Sequence, residues 1–188
     1  MKNLSDIEII ESVKRGNQND FALLIDRYKD RTFTMLKRML KNEMDAEEVL
    51  QDCFLKAYSS ISTFRNESKF STWFYRIVYN TALTTLASKK RKTEMEMSSI
   101  DEHFDLGNYD DEIYSQAENA KMYVHKMVNK LPVKNGLVLI LFYIDNLSLN
   151  EISQILGLSL VNVKVMLHRS RNSLRKLLEK HDYQEELL

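Results

Sequence analysis

The 188-residue chain holds one proline, four glycines and one cysteine. So few chain breakers exclude a turn-rich β architecture and favour helices. The single thiol, Cys53, permits neither an internal disulfide nor a cysteine zinc site, which points to a reducing cytoplasm. The four histidines, His103, His125, His168 and His181, are scattered without ligand spacing, so no metal and no cofactor is expected. No nucleophile motif or phosphate loop is present, which argues against an enzyme. Asp6, Glu8 and Glu11 interrupt any N-terminal signal peptide. The longest apolar run, "GLVLILFYI" from Gly136 to Ile144, is too short to span a bilayer, so no direct membrane insertion is expected.

What is present is charge, unevenly spread. The chain is neutral overall, with 27 basic and 27 acidic residues. Residues 1–92 carry 17 Lys and Arg against 12 Asp and Glu, and residues 121–188 carry 10 against 6. Between them, residues 93–120 carry nine acids and no Lys or Arg. Two basic blocks, of a kind that suits polyanion binding, flank an acidic connector. The pattern predicts an all-α protein: two small helical domains, 1–92 and 115–188, joined by a flexible acidic linker over 93–114.

In the first block, Ser5-x-x-Glu8 is a capping box for a first helix. A second is expected from about Asp20 to Lys41, and a third capped by Asp45. The third helix carries a core stripe through Val49, Leu50, Cys53, Phe54, Ala57, Tyr58 and Ile61. A loop follows in Ser59–Thr72, then a fourth helix from Trp73 to Lys92. In the second block a helix from about Gln116 must stop near Leu131-Pro132. A buried helix follows over Val133–Ile144, and two more make a four-helix domain.

Those last two helices lie in "SLNEISQILGLSLVNVKVMLHRSR", Ser148 to Arg171. Ser148-x-x-Glu151 is a second capping box. Gly157 permits the left-handed turn that ends the helix, and Ser159 can cap the next one. On that helix Val163, Leu167, Ser170 and Leu174 define a buried side, while Lys164, Val165, His168 and Arg169 point elsewhere. This is a helix-turn-helix layout, whose second helix enters the major groove with its N-terminal half at the base edges. Arg171, Arg175 and Lys176 lie further along, where phosphates are met. The bland alternative is a helical hairpin with a solvated basic face.

A second informative stretch is "KFSTWFYRIVYNTALTT". Phe70, Phe74, Ile77, Val78 and Leu86 suit a core. Trp73, Arg76, Asn80 and Thr84 form another face, combining an aromatic, a cation and an amide. Stacking beside positive charge is how single-stranded nucleic acid is bound. The helix ends in the basic run Lys89 to Lys92.

Taken together, these segments resemble the extracytoplasmic function group of bacterial RNA polymerase sigma factors, over almost the whole chain. "DAEEVLQDCFLKAYSSI" resembles the polymerase-docking helix, "FSTWFYRIVYNTA" the promoter-melting segment, and the helix-turn-helix the reader of the upstream element. The resemblance implies sigma region 2 over 1–92 and sigma region 4 over 115–188. It implies docking on the clamp helices of the largest polymerase subunit through Asp45, Glu47, Glu48, Val49, Gln51 and Asp52. It implies contacts to the melted −10 element from Phe64, Arg65, Asn66, Lys69, Phe70, Ser71, Thr72, Trp73, Arg76 and Asn80. The −35 element falls to Ser159, Asn162, Lys164, Val165, His168, Arg169, Arg171 and Arg175. Further implied partners are the flap of the second-largest subunit, promoter DNA and an anti-sigma factor.

The chain departs from the family pattern at Thr84, Ala87 and Ser88, and at Val165-Met166, where Ser-Arg is usual. Val165 is suited to touch a thymine methyl. A stand-alone transcriptional regulator would explain the helix-turn-helix but leave the acidic helix and the aromatic segment without purpose.

Overall fold

Each helix begins where side chains satisfy its unpaired backbone groups. In the computed structural model, which describes residues 4–96, 123–124 and 126–185, α1 (Asp6–Lys14) has the expected capping box. Glu8 N donates to Ser5 Oγ at 3.3 Å, and Ser5 N donates to Glu8 Oε2 at 2.7 Å. A 3₁₀ turn, Gln18–Asp20, leads into α2 (Phe21–Leu40), which ends on Lys41 in the left-handed conformation. At α3 (Glu43–Ser60) the expected cap is corrected. Asn42, not Asp45, holds the N-cap, and Asp45 N donates to Asn42 Oδ1 at 3.0 Å. Asp45 falls instead in the first turn, where its charge complements the helix dipole.

A second correction concerns α4 (Phe70–Glu96). It starts at Phe70 rather than Trp73 and runs past the expected boundary at 92. The rest of the expected linker, 97–114, and the start of the next helix near Gln116 lie outside the described residues. Among α2, α3 and α4, rings fill the core: Phe54 stacks on Phe74 at 4.8 Å, and Phe74 on Phe70 at 5.7 Å. Tyr28 meets Phe70, Phe74 and Tyr75 edge-on and donates its hydroxyl to Asp6. Cys53 is fully buried in this core, and burial pushes its thiol up to about 11, so it acts as a small apolar residue.

In the second group, residues 126–129 are helical and the chain leaves the helix before Leu131-Pro132, as expected. Three helices follow: α5 (Val133–Tyr143), α6 (Leu149–Leu156) and α7 (Leu160–Glu185). α5 buries Gly136 through Leu141. Around it pack Met127, Leu147, Ile152, Ile155, Leu156, Val163 and Leu167, all buried.

The two groups pack on each other, α6 against α4 and α5 against α2. Arg38 of α2 donates to Val128 O and to Asn129 Oδ1. Its guanidinium lies so close over Gly136 that a Cβ there would stand 1.5 Å from Nη2. Burial brings its pKa down to about 10. Arg31 of α2 faces Asp145 at 3.8 Å. Burial raises the Asp145 pKa against the pull of Arg31. Lys69, just before α4, pairs with Glu151 of α6 at 2.9 Å. One continuous apolar cluster runs through both groups.

Candidate nucleic-acid interface

Local chemistry sets the angle between α6 and α7. Glu151 N donates to Ser148 Oγ at 3.3 Å, and Ser148 N donates to Glu151 Oε2 at 2.7 Å, completing the second capping box. Gly157 sits at φ +64° and closes α6 through its N–H to Ser153 O. A side chain in that conformation is strained, which is why glycine stands there. Asn162 N donates to Ser159 Oγ at 3.2 Å, so Ser159 is the N-cap of α7. Val163, Leu167 and Ser170 face the core. Asn162, Lys164, Val165, His168 and Arg169 are exposed on other sides of α7. Arg171 lies over the rings of Phe142 and Tyr143, 5.6 and 5.3 Å from their centres. Arg175 is exposed, 3.9 Å from Glu179 one turn on.

On α4, Arg76, Asn80 and Thr84 are exposed in a row. Trp73 is half-buried, its ring 5.2 Å from Phe64 and 5.6 Å from Phe70. Three expected contact residues are corrected: Phe64, Phe70 and Thr72 are 5%, 3% and 2% exposed and have no surface to offer. The two rings are needed by the core, and Thr72 points inward from the first turn of α4. Phe64 anchors the loop instead, its carbonyl accepting from Lys14 Nζ at 2.8 Å. That leaves Arg65, Asn66 and Lys69 exposed, with Asn66 at φ 57° and Ser71 half-buried.

On α3, Glu47, Glu48, Gln51 and Asp52 are exposed, and Asp45 is half-buried beside Lys89. Val49 is 4% exposed and is a core residue, which corrects its place in the docking set. Sequence reasoning missed two residues here. Met44 and Leu55, 79% and 64% exposed, share a stripe with Glu48 and Gln51. That spacing was readable; two apolar residues among acids were simply not counted as surface. A fourth surface is an apolar cleft of about 380 Å³ lined by Val128, Ile140, Tyr143, Leu174 and Leu178, together with Arg171 and Arg175.

Residues 24–92 match the family Sigma-70 region 2, and residues 121–174 match Sigma-70, region 4. The chain is 36% identical over 182 residues to the ECF RNA polymerase sigma factor SigW of Bacillus subtilis (strain 168), covering 90% of this chain and 94% of that one. The chain belongs to the ECF RNA polymerase sigma factors. It is also 30% identical to the ECF RNA polymerase sigma-E factor of Escherichia coli (strain K12) over 178 residues, 91% and 93% of the two chains. Among solved structures it resembles the sigma factor RpoE in complex with the anti-sigma factor NepR from Bartonella quintana. There the TM-score is 0.67 at 19% identity, covering 85% of this chain and 97% of that one, a likeness of fold. The two matched regions of this ECF sigma factor carry three of the four surfaces described: α3 and the α4 row in region 2, and the N-terminal half of α7 in region 4.

Proposed function

We propose that this ECF sigma factor binds core RNA polymerase, brings it to promoters by reading the −35 and −10 elements, and helps melt the DNA at the −10 element. The observation that carries this reading is the outward side of α7. From Leu160 to Leu178 the helix holds five Lys and Arg and no acid, and the capped glycine turn sets its N-terminal half so that Val163 and Leu167 face the core while Asn162, Lys164, Val165, His168 and Arg169 stay exposed. Phosphate neutralisation by such a helix releases counterions and positions it, while base edges supply selectivity.

In this reading α3 docks on the polymerase clamp through Glu47, Glu48, Gln51 and Asp52, with Met44 and Leu55 adding apolar contact and Asp45 supporting the helix start. Arg65, Asn66, Lys69 and Ser71 border the captured −10 base, and Arg76 and Asn80 hold its strand. Trp73, backed by Phe64 and Phe70, supplies a firm stacking platform. Opening the duplex is binding work: unstacking costs a few kcal/mol, offset when the flipped base is captured. The apolar cleft beside α5 takes the flap of the second-largest subunit, and an anti-sigma factor competes for these surfaces. The test is run-off transcription of genomic DNA by core polymerase with and without the chain. Discrete new start sites sharing two upstream motifs are expected. An unchanged transcript pattern, with a folded chain present, overturns the proposal.

A further inference from the structure

On a helix turning about 100° per residue, the buried stripe of Val163, Leu167 and Ser170 fixes the direction of the core. In the N-terminal half of the helix, the position most nearly opposite that stripe is Val165, about 170° away, with Val161 next to it. Both are exposed, at 42% and 68%. The deepest-reaching part of the helix is therefore apolar, while Lys164, His168, Arg169 and Asn162 surround it. Valine is not chosen here for helix propensity, since β-branched residues lose χ1 freedom in a helix. Its stiffness does offer a fixed methyl surface that loses little freedom on contact.

We infer that Val161 and Val165 read C5-methyl groups of thymines in the major groove, so that the upstream element contains thymine at the positions they face. This rests on the proposed placement of α7 in DNA and names the chemistry of its central contacts. A helix that is cationic and free of acids from Leu160 to Leu178 suits a polyanion better than an apolar protein groove, and the thymine methyl is the apolar feature that a major groove displays. Residues four apart on a helix have Cβ atoms about 5–6 Å apart. Base pairs are about 3.4 Å apart along the axis. The two valines thus address methyls separated by one or two base-pair steps.

The test uses the chain with core polymerase and promoters recovered by run-off transcription, with only the upstream element randomised. The library is made once with thymine and once with uracil, which lacks only the methyl. Thymine enrichment is expected at one or two neighbouring positions. Each methyl removed should lower binding about four-fold, the worth of one buried CH₂. Val161→Ala and Val165→Ala, at exposed sites that leave the core intact, should each abolish the thymine–uracil difference at one position. Preferences at neighbouring pairs should persist. Equal enrichment from both libraries, or valine variants that keep the methyl dependence, overturns the inference while leaving promoter reading in place. Loss of all base preference in the upstream element overturns both.

Discussion

Trp73 shows how much one residue's role depends on its neighbours. Alone it reads as an aromatic on a polar face; in the fold it leans on Phe64 and Phe70. Trp73→Ala should cost about 2 kcal/mol of stability, below the roughly 3–5 kcal/mol of a fully buried ring, measured by denaturant unfolding. It should also reduce permanganate-reactive thymines in the open complex yet spare transcription from a pre-melted template. Equal loss on both templates would place the defect outside melting. On α7, Arg169 and Arg175 should divide by chemistry. Arg169 lies beside the central valines, so Arg169→Ala should relax preference at one base pair at a cost of about 1–3 kcal/mol. Arg175 lies more than a turn beyond and should meet phosphate. Arg175→Ala should weaken binding to all sequences alike and lower the salt slope by about one unit. Binding series on promoter variants across salt concentrations check both. The reverse pattern would mean that the helix sits differently in the groove.

At the scale of elements, what was legible in the sequence was local. Both capping boxes, the Gly157 turn and the Ser159 cap depend on residues within four positions of each other, and all four form. The α3 cap was misplaced because Asn42 and Asp45 are both competent and lie in one turn. Val49, Phe64, Phe70 and Thr72 entered the site because family segments are continuous in sequence, while a helix alternates between core and surface. The α6 cap can be tested directly. Ser148→Ala should cost about 1 kcal/mol. Burial acts to raise the Glu151 carboxyl, but hydrogen bonds from Ser148 and Lys69 outweigh it and hold the pKa below its ordinary 4.5. A depressed native pKa contributes stability that is present above 4.5 and lost as pH falls through the lower native value. The acid-side loss seen by thermal unfolding should therefore shrink in Ser148→Ala; an unchanged acid limb would remove Glu151 from the account. On α3, reversing the charge of Glu48 and Asp52 together should weaken association with core polymerase and leave helicity unchanged by circular dichroism. Undiminished core binding would move the docking surface elsewhere.

The packing of the two groups was not legible, because its contacts join residues as far apart as Arg38 and Val128. It bears on how the molecule works. Elements centred near −35 and −10 lie roughly 25 base pairs apart, or about 85 Å of duplex. A compact chain of this length has a radius of gyration of only about 16 Å. If the chain reads both elements on straight duplex as proposed, the packed arrangement is too short to span them, and the two groups are expected to part on promoter DNA. The Lys69–Glu151 pair, whose Lys69 partner is 71% exposed, holds little against that separation. Arg38 is different: it is half-buried, it bridges the groups, and it depends on the missing side chain of Gly136. Gly136→Ala should improve the propensity of α5 by up to about 1 kcal/mol while pushing the flexible Arg38 head out of its seat. Each group should stay folded while their association loosens. Carbodiimide cross-linking of Lys69 to Glu151 reports the closed arrangement, and its yield in the free chain should fall in Gly136→Ala. It should fall in the unsubstituted chain too when core polymerase is added. If Gly136→Ala leaves the yield unchanged, Arg38 does not hold the groups together. If core polymerase leaves it unchanged, the closed form is the one that works, and the two elements must be brought together by bent DNA.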